Sequence, residues 1–210
     1  MSLKGNKPLV LLISLLIFHF GWVKWWALDW FYAIDYFERA AIVALFVAAF
    51  GWPKFVRRLG IQDFAAIILA LVGFAIIHYF EVHFSSAGIL PQLWSPSFYP
   101  SINAAWLKYF DISVGLILVA VSEEIVYRKL AFDVLVKRFK APMAYVLSSL
   151  LFAALHVPLG SIAFVITFLD GFVFMAVYRW RRNLLVPIAA HFLVDLYIFY
   201  NIHEIFAVAS

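Results

Sequence analysis

Apolar residues run along this chain in stretches long enough to cross a bilayer, separated by short polar connections. A hydrocarbon core takes ~20 apolar residues as helix. On that measure the pattern predicts spans near 8–26, 33–52, 62–81, 105–132, 142–158, 161–179 and 184–202. Strand-type alternation is absent from these runs, and backbone groups left unpaired in lipid are costly, so all are read as helices. The expected fold class is all-α, a polytopic transmembrane helix bundle of about seven spans. It forms one integral-membrane domain over 1–210, with a motif-bearing core at about 105–202. One connection is long: Val82 to Ala104 carries Gly88, Pro91, Pro96, Pro100 and five serines. It reads as a loop without regular structure, expected on the outer surface more than folded back over the bundle as a lid.

Composition sharpens this into a membrane protein. Hydrophobic residues make up 66% and charged ones 13%, with a mean hydropathy of +0.97, against roughly 45–50% and about 25% in soluble domains. With no cysteine, disulfides, thiolate catalysis, zinc–thiolate sites and iron–sulfur clusters are excluded. The net charge of +4 is read through the placement of lysines and arginines rather than as affinity for nucleic acid, and no nucleic-acid partner is expected. Lys4, Lys7, Lys54, Arg57, Arg58, Lys137, Arg138, Lys140, Arg179, Arg181 and Arg182 fall on one side, against Lys24, Arg39 and Lys108 on the other. The bias predicts a cytoplasmic N-terminus. Trp22, Trp25, Trp26, Trp30, Trp94 and Trp106 then gather at the outer interface. Lys4 and Lys7 followed by Leu9 to Phe20 resemble a signal peptide, but no small-x-small cleavage site follows, so a retained first span is expected.

Charges inside the spans need a reason, since one at mid-bilayer costs at least ~2.5–3.5 kcal/mol. The fourth span contains Ser122-Glu123-Glu124-Ile125-Val126-Tyr127-Arg128. Glu124 and Arg128 are i and i+4, on one helix face, and are expected to pair. Glu123 is rotated about 100° away, which leaves it without that partner and open to general-base chemistry. The competing reading is a purely structural ion network. The fifth span contributes Phe152 and His156, and the seventh His191 and Asp195, again i and i+4. Taken singly, each histidine reads as a core or packing residue. Depth changes that. Counted from the nearest basic connection at 1.5 Å per residue, Glu123, His156 and Asp195 lie about 20 Å from the cytoplasmic interface and His191 about 14 Å. Four costly side chains from three spans fall in one layer, which points to a shared site.

Glu-Glu-x-x-x-Arg, Phe-x-x-x-His and His-x-x-x-Asn/Asp, in that order on separate spans, resemble the CAAX-protease and bacteriocin-processing (Abi, CPBP) family of intramembrane glutamic proteases. The resemblance runs from about Glu123 to Asp195; the earlier spans match only in being hydrophobic. It implies an endopeptidase in which Glu123 activates a water, Glu124 and Arg128 support it, and His156 holds or polarises the same water. It implies that His191 and Asp195 stabilise the oxyanion and that Phe152 shapes the pocket. Many members have asparagine where this chain has Asp195. An ionised aspartate would repel an oxyanion, so Asp195 either carries a proton or orients His191 to donate alone. No cofactor is implied.

Other mechanisms are weighed by their motifs. Rhomboid Gly-x-Ser-Gly and presenilin-type Gly-x-Gly-Asp are absent. Leu169-Asp170-Gly171 resembles part of a site-2 metalloprotease, but His-Glu-x-x-His is missing, so the tripeptide reads as coincidence. Two histidines with Glu123 nevertheless make a plausible three-ligand zinc site. A proton-coupled transporter or scaffold is the non-enzymatic rival, against which stands the lack of an inverted repeat. The expected substrates are membrane-anchored or lipidated proteins cut in a C-terminal tail or anchor. A depth of ~20 Å across a ~30 Å core hints at an outward-facing site. An integral protein of a prokaryotic cytoplasmic membrane is the expected setting.

Overall fold

The computed structural model describes residues 7–20, 30–51, 57–86, 88, 92–93 and 99–200. Among these residues the fold is wholly helical. Helices α1 (Lys7–Phe20), α2 (Phe31–Phe50) and α3 (Ile61–Ser86) come first. A continuous helical stretch follows, made of α4 (Ala105–Phe110), a π-helical turn (Asp111–Gly115), α5 (Leu116–Glu123), a π-helical segment (Glu124–Ala131) and α6 (Phe132–Leu135). The chain then forms α7 (Ala141–Ala154), a 3-10 turn (Val157–Leu159), α8 (Ser161–Arg181) and α9 (Leu185–Tyr200). Each of the seven predicted apolar stretches therefore contains helix. Residues 21–26 of the first one, with Trp22, Lys24, Trp25 and Trp26, lie outside the described residues, as do Lys4, Lys54 and Trp94.

By length and composition, Ile61–Ser85 and Ser161–Arg181 can each cross a membrane. On α3, Ile61, Phe64, Ile68, Leu69, Val72 and Ile76 all point outward and are exposed, an apolar face of the kind that marks a membrane or protein contact. Inside, one core joins α1 and α2 to the π-helical segment through Leu15, Ile42, Phe46, Tyr127 and Leu130. A second joins α3, α8 and α9 through Ala66, Ala70, Phe174, Val186 and Ala190.

Polar contacts fix which ends of the helices meet. Asp63, at the start of α3, accepts from Gly60 N (2.9 Å) and Arg181 Nε (2.8 Å), and Arg57 donates to the Arg181 carbonyl at 2.9 Å. Arg179 lies 4.8 Å from the Phe132 ring centroid. The basic connections at 57–58 and 179–182 and the end of the long helical stretch thus share one end of the bundle. The expectation for Arg39 is corrected: it is not a charge of the opposite connection. It lies within α2, buried, and says nothing about orientation.

The long connection starts later than expected, since residues 82–86 continue α3; beyond it Gln92 and Leu93 are exposed, as in a surface loop, yet make fixed contacts. Gln92 and Leu93 touch the start of α8, where Leu93 N donates to Ser161 Oγ at 2.7 Å and Ile162 N to Gln92 Oε1 at 3.3 Å. Gly160, at φ 105°, takes a backbone conformation that side chains rarely adopt, and a Cβ there would collide with Gln92. Farther on, Tyr32 donates to the Pro100 carbonyl at 2.6 Å. Tyr99 packs edge-on against Phe31 (5.7 Å) and Phe199 (5.4 Å). Tyr99 is thus part of the cavity wall.

Candidate active site

The motif residues meet around a cavity of about 440 Å³ lined by Glu123, Phe152, His156, His191 and Asp195. Glu124 and Arg128 lie directly behind it, fully buried. Their expected ion pair is present, with Arg128 Nε 3.0 Å from Glu124 Oε2. The second oxygen of Glu124 accepts from His191 Nδ1 at 2.9 Å. One carboxylate therefore neutralises an arginine and fixes an imidazole, as a carboxylate orients a histidine in many catalytic sites.

Aromatic packing completes that hold. The Arg128 guanidinium carbon sits 4.2 Å from the Phe152 centroid and 5.6 Å from that of Phe174, distances at which a desolvated cation is attracted to the ring face. Phe174 stacks on His191 at 5.2 Å and 20°, and Phe152 meets it edge-on at 5.7 Å. Gly171 allows this approach, because a Cβ there would stand 2.9 Å from Phe152 Cδ1. The Asp170-Gly171 pair is thus built into the site: Gly171 packs under Phe152, and Asp170 lines the cavity.

With Nδ1 engaged by Glu124, the Nε2 of His191 faces Asp195 Oδ2 at 3.4 Å and Glu123 Oε2 at 3.9 Å. The carboxylate at His191 Nδ1 is that of Glu124. Asp195 instead stands beside the cavity-facing nitrogen. His156 occupies a break in the helix rather than its interior. Helix α7 ends at Ala154 and a 3-10 turn opens at Val157, consistent with Pro158, which lacks an N–H and disfavours helix in the residue before it. The Nδ1 of His156 lies 3.3 Å from the Phe152 carbonyl. That bond, made by Nδ1–H, leaves Nε2 for the cavity.

Glu123 is the main correction. It has a close cation on α2: Arg39 NH1 lies 2.7 Å from Glu123 Oε1, and Arg39 Nε 2.7 Å from Asp35 Oδ2. Spacing within one helix cannot reveal a partner 84 residues away. The available signal was Asp35 and Arg39 themselves, an i, i+4 pair in an apolar run. The ion pair holds one Glu123 oxygen and leaves the other on the His191 side. Among the described residues no group of three or more His, Asp or Glu is arranged to hold a metal ion.

Residues 104–197 match a family model described as type II CAAX prenyl endopeptidase Rce1-like. The chain is also similar to the uncharacterized protein YpbD of Bacillus subtilis (strain 168), at 28% identity over 133 residues. That alignment covers 62% of this chain and 61% of the relative, so the chain spans about three fifths of the relative's length. No solved structure matches.

Proposed function

We propose, from the match of residues 104–197 to the Rce1-like CAAX endopeptidase family model, that the chain is an intramembrane endopeptidase that uses a glutamate as its base. The family is membrane-embedded and of CAAX peptidase type. The observation that carries the finer reading is the meeting of Glu123, His156, His191 and Asp195 at one cavity, with Glu124 holding His191 from behind. In this reading Glu123 Oε2 takes a proton from a water that His156 helps to hold. The hydroxide attacks the scissile carbonyl, and Glu123 returns the proton to the leaving amine. A proton on His191 Nε2 and one on Asp195 donate to the oxyanion, and neighbouring carboxylates supply the counter-charge. The reaction so drawn uses no metal. The substrate is a membrane-anchored or lipidated protein cut near a C-terminal tail or anchor, and the chain crosses the membrane about seven times from a cytoplasmic N-terminus.

The test is cleavage by the purified chain in lipid nanodiscs, with products identified by mass spectrometry. Glu123→Gln and His156→Ala should each lower the rate by about 10²–10⁴-fold while both variants keep the helical signal and elution volume of the parent. Undiminished processing by Glu123→Gln would end the hydrolase reading.

A further inference from the structure

Among the described residues, six carboxyl side chains, Asp35, Glu81, Asp111, Glu123, Asp170 and Asp195, line the cavity with a single guanidinium, Arg39. Five of them have a basic or donor group of the chain beside them. Arg39 serves Asp35 and Glu123 at 2.7 Å each. The Tyr36 hydroxyl donates to Asp111 at 2.6 Å, His78 lies 2.9 Å from Glu81, and His191 lies 3.4 Å from Asp195. Asp170 is different. It is 8% exposed, and its Oδ1 has no hydrogen-bond partner among the described residues. Thr167, one turn earlier on α8, spends its hydroxyl on the Ala163 carbonyl at 2.6 Å. A buried carboxyl oxygen left without a donor is costly, and this one lines the cavity that would receive the substrate. The excess of carboxyls also gives that cavity a potential that favours a cation and disfavours an anion.

We propose that Asp170 forms a specificity pocket for a lysine or arginine side chain of the peptide substrate, close to the bond that is cut. The pocket rests on the hydrolase reading and adds to it the class of residue selected. A cationic head supplies the donor that Asp170 lacks, in a charge-assisted bond. The aliphatic stem lies along Ala163 and Ile166, which line the same wall.

The experiment uses a library of lipid-anchored decapeptides randomised at the central positions, digested by the full chain in nanodiscs, with cleavage sites read by mass spectrometry and Glu123→Gln as the blank. Wild type should enrich Lys and Arg over Gln at one position by about ten- to a hundredfold, the range that a charge-assisted hydrogen bond supplies. Asp170→Asn should abolish that preference, Asp170→Glu should keep it, and Asp170→Lys should turn it toward Asp and Glu. Cleavage without a basic preference in wild type overturns the pocket even if a variant misfolds, and so does a preference that survives in Asp170→Asn. Both results leave the hydrolase reading standing. Cleavage by wild type no greater than by Glu123→Gln removes the hydrolase reading, and the pocket with it.

Discussion

Arg39 offers the sharpest test of how the base is held. It is 6% exposed and bridges two buried carboxylates, with Nε on Asp35 Oδ2 and NH1 on Glu123 Oε1, each at 2.7 Å. Arg39→Met removes the cation and leaves both carboxylates without it. Breaking a buried ion pair in this way costs about 3–5 kcal/mol, which for a chain of this length lowers the melting temperature by about 6–20 °C. The catalytic effect is separable. A base displaced by an ångström loses about 10² in rate, so kcat should fall by about that factor while KM stays within about twofold of the parent. Arg39→Lys keeps the charge but lacks the planar fork that reaches both carboxylates, so it should recover part of the stability and less of the rate. Asp35→Asn loses one charge-assisted bond and should cost about 1.5–3 kcal/mol. Thermal unfolding in detergent, followed by tryptophan fluorescence, gives the first quantity, and peptide cleavage in nanodiscs the second. Parental melting and parental kcat in Arg39→Met would refute the assignment of Arg39 as the positioning residue of Glu123.

Three further outcomes follow from the same geometry. Glu124→Gln keeps the shape but removes the charge facing Arg128 and His191; cleavage should fall by about 10–100-fold, as it does when the orienting partner of a histidine is lost. Gly171→Ala places a methyl 2.9 Å from Phe152 Cδ1 and tilts the ring under Arg128, for a loss of about 1–3 kcal/mol read as a lower melting temperature. Incubation with a strong chelator should leave cleavage within about twofold of untreated protein if Glu123 acts on water without a metal. Stoichiometric zinc in active protein, with activity restored only by zinc, would replace that chemistry.

The parts of the site that lie on one helix were legible because helical spacing is local. Glu124 and Arg128, four residues apart, pair at 3.0 Å. His191 and Asp195, also four apart, meet at 3.4 Å. Counting residues from the basic connections put His156 and Asp195 level with Glu123 and His191 nearer the connection by about one helical turn, and all four line one cavity. What the sequence hid was carried by packing. Nothing in the order of residues says that α2 faces Glu123, so Arg39 was assigned to a connection although Asp35 stood one turn away. The touchdown of Gln92 on the first turn of α8 depends on a long connection whose path its composition does not set. The break before His156 was closer to view, since Pro158 and Gly160 both argue against a helix carried through to that point.

Two consecutive glutamates, one on either side of the junction into the π-helical segment, flank one imidazole. Glu123 ends α5 and Glu124 opens the π-helical stretch. Neighbours on an ordinary helix diverge by about 100°, which sends their carboxylates to different surroundings. Here both reach His191 from different sides: Glu124 Oε1 lies 2.9 Å from Nδ1, and Glu123 Oε2 3.9 Å from Nε2. A widened turn runs through the motif, Tyr127 within it accepts from Ser148 of α7, and Arg128 comes to rest over Phe152. Eight residues is long for a π-helix, and such stretches collect at functional sites because they are costly elsewhere. In the proposed mechanism Glu124, with its two oxygens at Arg128 and His191, orients, and Glu123, with one oxygen on the His191 side, acts as the base. Its restraint comes from Arg39, which lies outside the matched residues 104–197. Those residues alone carry every motif side chain and still lack Arg39, the cation paired with Glu123.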